Sequence, residues 1–251
     1  MSRIFIKGDT HRLIDVEKID EFDRVVGNEL TRDDYLIVLG DFGGVWTGKD
    51  IMGDKFAYDF YEWKCMLAFD DEPREYWEKK PYTVLFIDGN HENHDALDMY
   101  PVEEWNGGKV HRIYSNTIHL MRGQIFTIAG KTFFTMGGAE SSDRAWRTEG
   151  FSWWPREMPS DEEYDEAIRN LDRCGNKVDY ILTHCGPETM LCSMNMKGMY
   201  YRSSNRFTKF LDSLAQTVKF KDWYFAHYHE DSDLGKFHLR YNRIDELTGE
   251  D

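Results

Sequence analysis

The chain has 251 residues, 41% hydrophobic and 15% aromatic, enough to enclose a sizeable core in what we expect to be a single domain spanning 1–251. A formal net charge of -15 sets long-range electrostatics against general nucleic-acid and anionic-membrane binding. There is no signal-like start and no run of membrane-spanning length, and the four cysteines (Cys65, Cys174, Cys185, Cys192) form no Cys-x-x-Cys pair, which together imply a cytoplasmic chain with reduced thiols.

Residues 3–7 read as a first strand that ends in Gly8-Asp9-Thr10-His11. A short turn there could aim Asp9 and His11 at one ion, although the pair taken alone reads first as an N-capping Asp beside an exposed His. Apolar residues at helical spacing predict a helix over 13–30. A second strand, 35–39, stops at Gly40-Asp41-Phe42-Gly43-Gly44, where Asp41 by itself is an ordinary turn former. Residues 55–80 predict a helix pair broken at Pro73. The third strand, 83–87, runs into Gly89-Asn90-His91-Glu92, and Gly89 is expected to permit a sharp reversal that turns Asn90 and His91 toward one pocket. A short helix over 93–100 follows. Four β-like segments, 110–113, 117–121, 124–129 and 131–136, have the spacing of an antiparallel second sheet.

The stretch 139–160 has little periodicity but holds Trp146, Trp153 and Trp154 together with Arg144, Arg147 and Arg156. A loop of this length inside a compact domain is usually functional, so it is expected to form a rim or lid. Arg144 and Arg147 are candidate phosphate-binding residues, able to donate forked hydrogen bonds; solvation or pairing with nearby acids accounts for each equally well. Ser160-Asp161-Glu162-Glu163 has the form of a capping box for a helix reaching about Cys174. A strand over 178–183 ends in His184, a helix spans about 205–218, and a last apolar strand ends in His227-Tyr228-His229.

Five strands thus end in Asp-x-His, Gly-Asp, Gly-Asn-His-Glu, Thr-His and His-x-His, which would gather two Asp, one Asn and five His on one face. The remaining histidines, His94, His111, His119 and His238, read as surface or packing residues. Mixed imidazole, carboxylate and amide ligands suit Mn, Fe or Zn better than Mg, with Mn the expected activator. Seven ligands exceed one tetrahedral ion and match two ions sharing a carboxylate, typically ~3.5–4 Å apart. Two dications against two carboxylates leave a positive pocket that can draw a phosphate into an acidic protein.

These motifs, in this order from Asp9 to His229, resemble the signature of the calcineurin-like metallophosphoesterase superfamily. The stretches 105–111 and 121–124 are also similar to a bacterial and phage subgroup of it. The resemblance implies an α/β fold of two packed mixed β-sheets flanked by helices. It implies that Asp9, His11 and His229 hold one ion, that Asn90, His184 and His227 hold the other, and that Asp41 bridges them. His91 would be the catalytic residue, free of metal, stabilising the transition state or protonating the leaving oxygen. The implied reaction is hydrolysis of a small phosphorylated substrate, a monoester or a small diester, by a hydroxide held between the ions. The other readings are an inactive metal-binding scaffold and a nuclease, the latter opposed by the net charge. Gly44 and Val45 stand where phosphatase members of the superfamily carry Asp and Arg, which removes the usual acid partner of His91; Glu92 is the nearest acid that could orient it. Arg12 and Ala226 stand where glycine is usual, and neither change removes a ligand.

Overall fold

The apolar strands are continuous runs because each is buried on both faces. The computed structural model describes residues 2–46, 71–194 and 204–248. In it β1 (Ile4–Lys7), β2 (Tyr35–Val38) and β3 (Thr83–Phe86) pair in parallel with aligned ends, Lys7 beside Val38 and Val38 beside Phe86. The period of two sends Ile4, Ile6, Ile37, Leu39 and Leu85 into the layer between two sheets. It sends Phe5, Leu36, Val38, Val84 and Phe86 outward against Ile19 of α1 (Glu17–Val25) and Trp77 of α2 (Asp71–Glu78). At roughly 1.5–3 kcal/mol for each large apolar side chain fully buried, these layers hold the fold and leave the strand-end turns free to carry polar groups.

Beyond β3 the chain forms α3 (His94–Leu97), β4 (Val102–Trp105), β5 (Gly108–Tyr114) and β6 (Thr117–Leu120), which extend the first sheet. It then crosses to β7 (Gln124–Ile128) and β8 (Lys131–Met136) in the second. The four segments therefore do not make one antiparallel second sheet. Each hairpin is antiparallel within itself, but β6 lies parallel to β3 and β8 parallel to β9 (Tyr180–Thr183). Both hairpins are apolar on two faces and so fit the edge of a two-sided sheet, and the break at Met121-Arg122-Gly123, with Gly123 at φ +70°, carries the chain between them.

The second sheet continues through β10 (Asp222–Phe225), β11 (Ser232–Leu234) and β12 (Phe237–Leu239), while β13 (Ile244–Glu246) returns to pair antiparallel with β1. Among the described residues the sheets have seven and six strands, in the orders β13-β1-β2-β3-β6-β5-β4 and β11-β12-β10-β9-β8-β7. The outer face of the second is covered by Leu171 of α4 (Asp161–Arg173), Leu191 of α5 (Glu188–Ser193) and Phe207 and Leu211 of α6 (Arg206–Thr217). This is the expected pair of mixed sheets flanked by helices. The Ser160–Glu163 capping box is formed in both directions, at 3.3 and 2.7 Å.

Two helices differ from expectation. The predicted 13–30 helix is shortened to α1 plus a 3-10 turn at Gly27–Glu29, because His11 and Arg12 take positive φ and Asp15 is drawn to His11, which keeps residues before Val16 out of helical geometry. Pro73 does not break α2: it lies within Asp71–Glu78. The rest of the predicted helix pair, 55–70, and Cys65 lie outside the described residues. Cys174, Cys185 and Cys192 are unpaired, and no described helix is long and apolar enough to cross a membrane.

Candidate metal centre

Parallel pairing places the exits of β1, β2 and β3 on one edge of the first sheet, and the exits of β8, β9 and β10 on the facing edge of the second. Three sets of side chains meet there, each with ligand atoms within 4.8 Å of one another: Asp9, His11 and His229; His11, Asp41 and His91; Asp41, His184 and His227. Asn90 joins the third set, its Oδ1 3.2 Å from His184 Nε2. All seven predicted ligands and His91 are thus brought together.

The turns that carry them are unusual backbone. His11, Asp41, His227 and His229 have φ of +39°, +46°, +72° and +51°, a region that L residues enter at a cost. Gly89 is required by space and not by a positive φ: a Cβ there would collide with the Asp41 backbone nitrogen and Oδ1. Glu92 does not orient His91 or its own turn. Its carboxylate reaches across to accept from Phe42 N at 2.7 Å and Gly43 N at 2.9 Å, which fixes the turn bearing Asp41. Burial and the neighbouring Asp41 push the Glu92 carboxyl up to about 8, against those two donors.

Asp9 and Asp41 are fully buried, and one oxygen of each has no hydrogen-bond partner among the described residues. Asp9 Oδ2 lies 3.1 Å from His229 Nε2 and Asp41 Oδ2 3.3 Å from His11 Nε2, yet neither approach has the geometry of a hydrogen bond. Desolvating two carboxylates costs several kcal/mol each, so unmatched oxygens facing imidazole nitrogens fit a cation between them. The ring tautomers agree. His184 Nδ1 donates to Leu39 O at 2.7 Å and His11 Nδ1 meets Asp15 Oδ2 at 2.6 Å, which leaves Nε2 of each ring toward the centre. Burial opposes protonation of His11 and His184, but Asp41 and Asp9 outweigh it and hold both near 9; His227 is pushed by burial and by His184 down to about 3, against Asp41 and Asp9. The carboxylates thus recruit positive charge, and the residues present fit divalent ions.

A cavity of about 280 Å³ opens over Asp41, Asn90 and His91 and is walled by Ser142, Asp143, His227 and His229. The rim segment supplies the neighbours of His91. Arg147 Nη2 lies 3.5 Å from His91 Nε2, and Arg147 is itself pinned by Asp143 at 2.7 Å and by the Ser152 carbonyl at 3.0 Å. Burial lowers the His91 pKa; Asp41 opposes this and Arg147 adds to it. A side chain at Gly44 would have to displace the Phe42 ring, which a Cβ there would run into. Arg144 is turned aside, its guanidinium stacked 4.2 Å over the Trp153 ring. Trp153 and Trp154 are buried anchors of the segment, while Trp146 is 90% exposed.

Several supporting residues carry no signal in the sequence. Asp15 accepts from Tyr241 Oη at 2.9 Å as well as meeting His11, and Tyr241 stacks on His229 at 4.8 Å. Lys7, buried behind Asp9, donates to the Asp9 carbonyl, and burial lowers its pKa to about 8. Only the spacing of Asp15, four residues after His11, hinted at a pair. His94, His111 and His119 are not surface residues: they are buried beside Asp88 and Arg122. His238 bridges Asp222 and Asp233 at 3.1 and 2.7 Å.

Two packed mixed sheets with carboxylate and imidazole groups at their shared edge define a metallohydrolase-type scaffold. A family profile described as calcineurin-like phosphoesterase matches residues 2–231, and the chain belongs to that family. A solved crystal structure 10% identical in sequence superposes with a TM-score of 0.50, covering 98% of this chain and 94% of that one, in keeping with a shared fold. A phosphopantetheinyl hydrolase from Mycobacterium tuberculosis, 13% identical, gives a TM-score of 0.40 over 96% of this chain and 88% of its own. Among curated proteins no sequence matches the chain.

Proposed function

We propose that the protein hydrolyses a phosphoester at a centre of two divalent ions. Asp9, His11 and His229 would hold one ion and Asn90, His184 and His227 the other, with Asp41 between them. The observation that carries this reading is the disposition of Asp41. Its Oδ2 lies 3.3 Å from His11 Nε2 and its Oδ1 3.3 Å from His184 Nε2, so one carboxylate faces both imidazole sets. When bound, the ions would lower the pKa of a water and offset phosphoryl charge, and the mixed nitrogen and oxygen ligands favour Mn, Fe or Zn, with Mn the expected activator. His91 would steady the phosphoryl group or hand a proton to the leaving oxygen, and Arg147, held rigid by Asp143, would grip it as a fork. A cavity of about 280 Å³ in a protein of net charge -15 favours a small phosphorylated substrate over a polyanion.

The test joins metal content, by plasma emission, to hydrolysis of chromogenic mono- and diesters with added Mn. The wild type should bind two ions and cleave at least one ester class, and His91→Asn should keep both ions while losing ~10²–10⁴-fold in turnover. Loss of metal with His91→Asn would make it a ligand, as its place beside His11 and Asp41 also permits. Two bound ions with no turnover of either ester would leave a binding scaffold.

A further inference from the structure

We propose that Ser141 and Glu157, at the two ends of the rim segment, are positioning residues that fix which end of the Asn90 amide faces the metal centre; this rests on the ligand assignment above. A carboxamide has an acceptor oxygen and a donor NH2 of nearly equal shape, and only the oxygen can ligate a cation. A half-turn of the Asn90 amide would therefore remove a ligand without moving the residue.

Asn90 Nδ2 donates to Ser141 Oγ at 3.1 Å, which leaves Oδ1 beside His184 Nε2. A serine hydroxyl alone does not settle the polarity, since it donates or accepts. Glu157 settles it. The Ser141 hydroxyl donates to Glu157 Oε2 and the Ser141 backbone N–H donates to Oε1 at 3.0 Å, so Oγ has only lone pairs left for Asn90. Direction is passed from carboxylate to hydroxyl to amide. Asn90, Ser141 and Glu157 are 4%, 6% and 1% exposed, so the links between them are buried. The far end is anchored as well: the carbonyls of Arg156 and Glu157 accept from Arg122 Nη2 at 2.9 and 3.3 Å.

The experiment is calorimetric titration of the metal-free full chain with Mn²⁺ and, separately, Zn²⁺. Ser141→Ala should weaken one of the two ions by ~10–100-fold, the range for losing a partner of a metal ligand, and leave the other within about threefold. Ser141→Thr keeps the hydroxyl and should restore the affinity. Glu157→Gln can donate to Ser141 and turn its hydroxyl toward Asn90, so it should weaken the same ion with almost no change of size. Wild-type affinities in both Ser141→Ala and Glu157→Gln would overturn the positioning role while the ligand assignment stands, whereas a wild type that fails to take two ions overturns the assignment itself. If Ser141→Ala does not fold, by circular dichroism, the comparison of Glu157→Gln with Ser141→Thr decides, and equal affinities overturn the proposal.

Discussion

Two clusters of histidine and aspartate meet at the turn after β3, Asn90 belonging to one and Asp88 to the other, and their oxygens are used in opposite ways. In the strand-end cluster Asp9 and Asp41 each keep an unmatched oxygen and hold His11 and His184 near 9. In the second, Asp88 accepts from Arg122 Nε at 2.8 Å and His119 Nε2 at 3.2 Å, and Arg122 also reaches Glu163 at 3.3 Å. Burial opposes ionisation of Asp88, but Arg122 and His119 hold its carboxyl far below the usual range. Burial, aided by Arg122, pushes His94 down to about 3, and burial, aided by His119, does the same to His111. A cation entering there would face the Arg122 guanidinium. Histidine number therefore does not mark a cation site; surplus carboxylate oxygen does.

That contrast is broken most severely by exchanging the roles of one residue from each cluster. Asp41→Asn removes the shared carboxylate. If the ions supply several kcal/mol of charge stabilisation, then at about 1.4 kcal/mol per tenfold turnover should fall by about three orders of magnitude. Metal content should fall with it, and the unfolding free energy should change less than in the next variant. Arg122→Met should do the reverse: leaving Asp88 buried and unpaired costs about 3–5 kcal/mol in urea unfolding, while metal content falls less than in Asp41→Asn. Equal effects of the two variants on both readouts would erase the distinction.

A smaller, graded effect of pH is carried by His94 and His111 and, in the metal-free protein, also by His227 of the strand-end cluster. His94 and His111 titrate near 3 in the fold and near the ordinary 6.5 when unfolded, so the unfolded chain binds more protons below 6.5. Their contribution is fully present above about 6.5 and is lost as pH falls toward 3, at most about 1.4 kcal/mol per pH unit for each histidine. Urea midpoints of the metal-free protein between pH 7 and 5 should show this slope, and His111→Gln should flatten it. An unchanged slope would place the acid sensitivity elsewhere.

The sheets and the ligand-bearing turns were legible because their signals are local: apolar runs of strand length, each followed within a few residues by Asp, Asn or His. The sorting of the two hairpins between sheets was not, since a hairpin apolar on both faces fits either edge. Nor were the supports. Glu92 acts on Phe42 and Gly43, 50 and 49 positions away, and Ser141 acts on Asn90 from 51 positions away, so only the folded chain creates these pairs. For His94, His111 and His119 the sequence left surface and packing open, because Arg122, buried beside them, looks in sequence like any solvated arginine.

The positive φ angles of His11, Asp41, His227 and His229 carry one more consequence. A non-glycine residue held there costs on the order of 1–3 kcal/mol, and glycine at any of the four would relieve it while deleting a side chain from the centre. Stability and chemistry therefore pull in opposite directions at these four positions, unlike in the core, where they agree. A lineage selected for robustness alone would shed these four side chains long before its sheets.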